Sequence, residues 1–279
     1  LFQAEARLRL VVDFRKRIDK MLNLNHYYEP KEFRQMALYE NIAKFYDEIF
    51  PLKQTRLNFI ESFLKNNLKV LDIGCATGEL ALALAKKGHQ VVGIDLDEKM
   101  IALAREKTKR LGLNTEFFIK DMIKIGEGFS PASFDAVLCF GNTLVHLENP
   151  GKIKGFFIGI HKVLKSGGIL LVQVVNYDRI LSGGIKELPL LKNENFIFRR
   201  EYRYDEVDHR IRFLTHLTIK KNGEVVKSSE TLYPLTSREL KDALDHAGFS
   251  KLQFFGSEGK MPYDKNSPAL VATAEKSRG

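Results

Sequence analysis

The residues that could do chemistry begin with two runs, Val70-Leu71-Asp72-Ile73-Gly74-Cys75-Ala76-Thr77-Gly78-Glu79 and Gln90-Val91-Val92-Gly93-Ile94-Asp95. In the first, an apolar strand carries an acid at its end and passes into a glycine turn. Leu80, Leu82, Ala83 and Leu84 then open a helix. The second is another buried strand that ends in a carboxylate. Strand, glycine turn, helix, strand and acid is the order in which a doubly wound α/β sheet holds an adenosine-containing cofactor. Taken singly, Asp72 and Asp95 could each be a strand-end or helix-capping acid; their joint spacing favours a cofactor crevice. A dinucleotide fingerprint is missing. No glycine occurs in 79–83, so the loop lacks the close backbone approach that a pyrophosphate needs.

The elements that must position these residues follow a regular α/β rhythm. Strands are predicted near 69–73, 90–95, 115–119, 134–140 and 169–175, and helices near 78–87, 97–111 and 151–164. Lys165-Ser166-Gly167-Gly168 reads as the helix-ending turn before the fifth strand. The pattern then changes. Residues 195–204, 210–219 and 225–233 are rich in aromatic and β-branched side chains and read as a three-stranded antiparallel insert. A helix at 236–247, capped by Thr236 or Ser237 and closed by Gly248, precedes strands near 250–255 and 268–274. Ahead of the first strand, helices are predicted over 5–22, 31–50 and 55–66.

The acidic-x-Gly-x-x-x-Gly form of the first loop resembles motif I of the class I S-adenosylmethionine (SAM) methyltransferases, and the resemblance covers most of residues 35–275. It implies a Rossmann-like, doubly wound, seven-stranded and mostly parallel sheet with the antiparallel β insert and an N-terminal helical lid. Residues 67–184 and 235–279 would form the SAM-binding core, 185–234 the wall of an acceptor pocket, and 21–66 the lid. The implied cofactor is SAM, with S-adenosylhomocysteine as its product. The family usually has glycine where this chain has Ala76. Alanine is the smallest replacement, so the loop should still admit the cofactor. The resemblance places Gly74, Ala76 and Gly78 in the loop at the methionine end, and Asp72 opposite its ammonium. Asp95 would take both ribose hydroxyls, Leu96 and Met100 would pack on adenine, and Asp121 and Met122 would meet the adenine amine and ring N1. A plain loop acid is the lesser alternative for Asp121. Tyr46, in Phe45-Tyr46-Asp47, would close over the cofactor or be a packed aromatic, with Tyr39 a weaker candidate.

Phe140-Gly141-Asn142-Thr143-Leu144-Val145-His146-Leu147 and Asn176-Tyr177-Asp178-Arg179-Ile180-Leu181 follow the fourth and fifth strands. In an open α/β sheet those carboxyl ends face the ligand. Both segments are similar to ones in the glycine and sarcosine N-methyltransferase group. That resemblance places Phe140 and His146 beside SAM, while leaving His146 open as a general base or a structural histidine. Asn142 orients the acceptor or holds a helix start. Tyr177, Tyr202 and Tyr204 line the acceptor pocket or are simply packed. The arginine that grips the substrate carboxylate in glycine N-methyltransferase is replaced here by Val175, which leaves Arg179, Arg199 and Arg200 as substitutes.

Composition bounds the rest. The chain has 279 residues, 44% apolar content, two cysteines and a formal net charge of +9. Residues 1–20 hold Arg7, Arg9, Arg15, Lys16, Arg17 and Lys20 against Glu5, Asp13 and Asp19, and precede Met21. They read as an N-terminal extension, native or not, that cofactor binding does not need. The remaining basic surplus is spread out, with no Arg/Lys run interleaved with aromatics, so nucleic-acid binding is permitted but not indicated. Cys75 and Cys139 read as small core residues, and no metal-ligand spacing occurs. No apolar run approaches the roughly 20 residues that span a bilayer. A cytoplasmic monomer or homodimer that methylates a small molecule, at nitrogen, is the expectation. An RNA or protein methyltransferase and a non-catalytic SAM-binding protein are the alternatives.

Overall fold

Five strands alternate with helices and build the carboxyl edge on which the acids sit. They are β1 (Lys69–Ile73), β2 (Gln90–Asp95), β3 (Glu116–Ile119), β4 (Phe134–Cys139) and β5 (Leu164–Val175). The computed structural model describes residues 42–277. The predicted helix at 5–22, residues 31–41 of the next, and Tyr39 and Met21 lie outside them.

The chain continues through β6 (Leu191–Lys192), β7 (Phe196–Asp205), β8 (Arg210–Ile219), β9 (Val225–Leu232), β10 (Phe249–Phe255) and β11 (Ala269–Lys276). The main sheet has seven strands in the order β10-β11-β5-β4-β1-β2-β3, and β6-β7-β8-β9 form a second sheet. In the main sheet β1, β2, β3, β4 and β5 pair parallel, and β11 runs antiparallel to both β5 and β10. This is the expected seven-stranded, doubly wound arrangement. The strand order reverses between β1 and β4, and a ligand crevice opens at that point.

The described helices are α1 (Tyr46–Ile49), α2 (Gln54–Glu61), α3 (Glu79–Lys86), α4 (Glu98–Leu111), α5 (Ile125–Gly128), α6 (Pro150–Val163), α7 (Tyr177–Gly183) and α8 (Ser237–His246). Local chemistry sets their ends. Asn149 accepts the Lys152 N–H at 2.9 Å, and Pro150 takes the first turn of α6, where no N–H is needed. Thr236 and Glu239 cap α8 reciprocally, which decides between Thr236 and Ser237 as the cap. Two apolar layers flank the central sheet. One is centred on Leu71, Val137, Phe156 and Phe157, the other on Val70, Leu84, Leu138 and Phe59. A third cluster joins Ile42 and Ile49 to Phe196, Phe198 and Leu217 on the insert. Each fully buried phenylalanine of these layers contributes about 1.5–3 kcal/mol relative to exposure.

Three expectations need correction. Residues 165–168 are not a turn ahead of the strand: β5 begins at Leu164, pairs with Phe134, loops out and resumes pairing at Ile169 with Ala136. The apolar Leu164 is buried against β4, so pairing starts before the glycines. The helix predicted over 55–66 ends at Glu61, where the Ser62 hydroxyl turns back to the Phe59 carbonyl. The insert has four strands rather than three, because the two-residue β6 pairs with β7.

Candidate functional site

A cleft of about 680 Å³ opens above the carboxyl ends of β1 and β4. Its floor is the loop after β1. Gly74 has φ +70°, and a Cβ there would stand 2.4 Å from Thr143 Oγ1. Glycine is therefore demanded both by the backbone and by the loop after β4 that presses on it. Gly78 is similar, with φ +80° and a Cβ position 2.7 Å from Phe117. Ala76 holds φ +47° without being glycine, and its N–H donates to Asp95 Oδ2 at 2.9 Å. The left-handed turn is thus fastened to the tip of β2.

Asp72 lines this cleft and is 3% exposed, and its Oδ2 has no hydrogen-bond partner. Burial, then the Asp95 charge, pushes its carboxyl up to about 7; Arg56 acts the other way. A buried carboxylate oxygen with nothing to accept is costly until a donor or cation arrives. Asp95 accepts from Ala76 and, through Oδ1, from the Asp97 N–H at 3.0 Å. Each oxygen keeps acceptor capacity beyond those bonds. Burial raises the Asp95 carboxyl above its ordinary value, and the backbone N–H donors lower it.

Tyr46, Phe140, Asn142 and His146 also line the cleft. Asn142 has φ +70° and bridges three elements. Its Oδ1 accepts the Val175 N–H at 2.9 Å, and its Nδ2 donates to Tyr177 Oη at 3.0 Å. Gln173, also in the wall, accepts the Gly141 N–H at 3.0 Å. Burial pushes His146 down to about 4, so its imidazole is neutral at pH 7. Burial, reinforced by Asp95, pushes the Tyr46 phenol well above its ordinary value.

Some predicted residues do not reach this wall. Tyr177 is fully buried and stands behind Asn142 rather than in the cleft. Met100 is 1% exposed, whereas Leu96, after β2, is 52% exposed. Asp121 caps the turn Met122–Lys124, accepting the Ile123 N–H at 2.9 Å. Gly78, Asp95, Leu96, Asp121 and Met122 sit around the tips of β1, β2 and β3, beside the cleft. Of the substitute arginines, Arg200 lines the cleft and Arg179 and Arg199 do not. Tyr202 lines it as well, but Tyr204 does not.

Sequence reasoning missed the fastening of the N-terminal segment. Asp47 accepts from the Thr77 hydroxyl in the floor loop and pairs with Lys107 of α4 at 2.5 Å, which also reaches Glu79 at 2.7 Å. Arg56 was missed too. It enters the cleft from α2, held by Glu258 at 2.6 Å and stacked near the Phe140 ring. Neither has a spacing signature, since each acts across a long sequence separation.

The donor set fits SAM. Asp72 offers an unpartnered carboxylate to an ammonium, Arg56 a guanidinium to a carboxylate, and Asp95 acceptor capacity to a diol. No group of His, Cys, Asp and Glu able to hold a metal ion occurs among the described residues. No helix among them is long and apolar enough to cross a membrane.

Residues 70–168 match the family model of a methyltransferase domain. A putative methyltransferase of Geobacillus sp. (strain WCH70) is 37% identical over 145 residues, covering 49% of this chain and 57% of its own. Human glycine N-methyltransferase is 30% identical over 132 residues, 42% of this chain and 43% of its own. The chain thus spans about half the length of these curated relatives. The similarity to the glycine enzyme is partial and does not single out that group. A crystal structure of an S-adenosylmethionine-dependent methyltransferase from Clostridium acetobutylicum superposes with TM-score 0.73 at 18% identity, covering 86% of this chain and 99% of that one. The fold is that of the class I SAM methyltransferases.

Proposed function

We propose that this chain is a SAM-dependent methyltransferase that transfers the methyl group to nitrogen of a small-molecule acceptor. The observation that carries the reading is the unpartnered Asp72 Oδ2 at the switch point of the sheet. Asp72 and Arg56 would hold the two charged ends of the methionine moiety, and Asp95 the ribose. The glycine loop gives the cofactor a close backbone floor, and Tyr46 gives it a roof.

SAM supplies a methyl group already activated on sulfonium, so the protein need only align the acceptor and exclude water. Asn142 is fixed by Val175 and Tyr177 and can orient a nucleophile without moving. His146 is neutral and weakly basic. A hydroxyl acceptor needs a base in the transition state, whereas an amine that arrives unprotonated does not. The weak base in the wall therefore favours nitrogen. Phe140, Phe196, Phe198 and Phe213 make much of the remaining wall apolar, which suits a small molecule and keeps water out.

Calorimetry with S-adenosylhomocysteine and SAM tests the cofactor half. Transfer of labelled methyl to an amine and alcohol panel tests the acceptor half. Saturable binding with transfer to amines is expected. Binding with transfer only to alcohols would overturn the nitrogen assignment, and binding with no transfer would leave a SAM-binding protein.

A further inference from the structure

The inner face of the insert carries a basic and an acidic side chain whose buried polar atoms, Arg200 Nε and both Glu230 carboxyl oxygens, lack partners. Strand pairing fixes the geometry. Arg200 of β7 faces Thr215 of β8, which faces Ser228 of β9; one repeat along, Tyr202 faces Phe213, which faces Glu230. Side chains alternate along a strand, so Phe198, Arg200 and Tyr202 share a face with Phe213, Glu230 and Leu232. Five of those six line the cleft: Phe198, Arg200, Tyr202, Phe213 and Leu232. Glu230 projects from the same face, between its cross-strand partner Phe213 and the next inward residue, Leu232.

Glu230 is 2% exposed, and neither carboxylate oxygen has a hydrogen-bond partner. Arg200 Nε is buried without a partner as well, while its Nη2 donates to the Pro189 carbonyl at 2.7 Å. Nearly all buried polar groups in folded proteins are satisfied. Two exceptions, one acidic and one basic, on the face of the insert that borders the cleft need a common reason. They do not neutralise each other in the structure: β8 lies between their strands, and neither Glu230 oxygen accepts a hydrogen bond from Arg200. The wall is also tied to the reaction edge: the Tyr233 N–H, just past β9, donates to the Val145 carbonyl at 2.8 Å, next to His146. Burial pushes the Glu230 carboxyl up to about 8, the direction expected of an acid that lacks its counter-charge.

We propose that the acceptor is a small molecule bearing both an anionic group and an amine, the anion held by Arg200 and the nitrogen by Glu230. This rests on the methyltransferase reading above and adds the substrate class to it. The guanidinium fork suits a carboxylate or phosphate, and the buried carboxylate suits an N–H donor. The aromatic rings between them fit a short apolar spacer. Glu230 and Arg200 act here as specificity residues, and either charge alone on the acceptor leaves one of them uncompensated.

The test uses the full chain with labelled SAM and a series of straight-chain amino acids, from 3-aminopropanoate to 6-aminohexanoate, beside amines of the same lengths. S-adenosylhomocysteine affinity is measured in parallel. At least one amino acid is expected to exceed its matching amine by roughly 10-fold or more in kcat/KM. Arg200→Met should level that advantage. Glu230→Gln should raise KM for amino acid and amine alike by about 10-fold, with kcat changed less. Neither substitution should alter S-adenosylhomocysteine affinity. Should Glu230→Gln fail to fold, Arg200→Met carries the test alone. Intact S-adenosylhomocysteine binding with no amino acid outrunning its amine, or with an unchanged KM in Glu230→Gln, overturns the inference and spares the reading beneath it. A wild type that does not bind S-adenosylhomocysteine overturns both.

Discussion

The two walls of the cleft are built by different means. On the sheet side, backbone does most of the work: Gly74, Ala76 and Asn142 sit at positive φ, and Asp95 fastens the turn. On the insert side, side chains do it, projecting from the regular strands β7, β8 and β9. A wall made of turns leaves a motif in the sequence, because each left-handed or crowded position restricts the residue type. A wall made of alternating side chains leaves none, because many residue sets satisfy one face of a sheet. The sheet side can be shared by many enzymes, while the insert side can vary with the acceptor.

Substitutions on the two walls should therefore separate cofactor binding from turnover. The largest effect is expected at Asp72. Asp72→Asn should weaken S-adenosylhomocysteine binding by about 100-fold, the order of a lost buried charge-assisted contact. Its pH dependence sharpens the point. The Asp72 carboxyl sits near 7 in the folded protein, above the unfolded value, so folding alone favours its protonated form. Its ionisation therefore costs apo-protein stability as pH rises from about 4 through 7. A cationic ligand favours the ionised form instead. Affinity for S-adenosylhomocysteine should thus rise with pH up to about 7 in the wild type and stay flat in Asp72→Asn. A pH slope that survives the substitution would assign the titration to another group.

Asp95→Ala comes next. It removes the ribose acceptor and the Ala76 tether together, and should weaken binding roughly 10- to 100-fold in the same calorimetric assay. Across the divide, Asn142→Ala should lower kcat by about 10-fold or more while changing S-adenosylhomocysteine affinity less. Equal effects on both would move Asn142 to the cofactor wall and blur the comparison. The smallest effect is expected at Asp47→Ala, which cuts the link from Thr77 to Lys107. A change of about threefold in S-adenosylhomocysteine affinity is expected, with the apolar packing of Ile42 and Ile49 on the insert intact.

How much was legible follows the same division. The strands at 69–73 and 90–95 were readable to the residue, because buried parallel strands are continuous apolar runs bounded by turn residues. The cap of α8 was readable to within one residue, Thr236 or Ser237, and is Thr236. Two errors in the fold came from places where packing overrode local signals. Leu164 is drawn into β5 ahead of two glycines, and β6 is too short to show alternation. In the site, the sequence left Tyr177 either in the acceptor-pocket wall or simply packed, and its full burial makes it the latter. The first turn of α7 points its ring beneath Asn142. Arg56, Asp47 and Glu230 gave no signal. Glu230 lies in Lys227-Ser228-Ser229-Glu230-Thr231, where inward and outward positions are equally polar, so the period-2 contrast vanishes.

Isothermal calorimetry of the purified chain with S-adenosylhomocysteine, wild type beside Asp72→Asn across pH 5 to 8, tests the central claim most directly. Saturable binding that tightens toward neutral pH in the wild type, and is weak and pH-independent in the variant, is the predicted result. Absence of binding in the wild type, or identical isotherms for the two proteins, would contradict it.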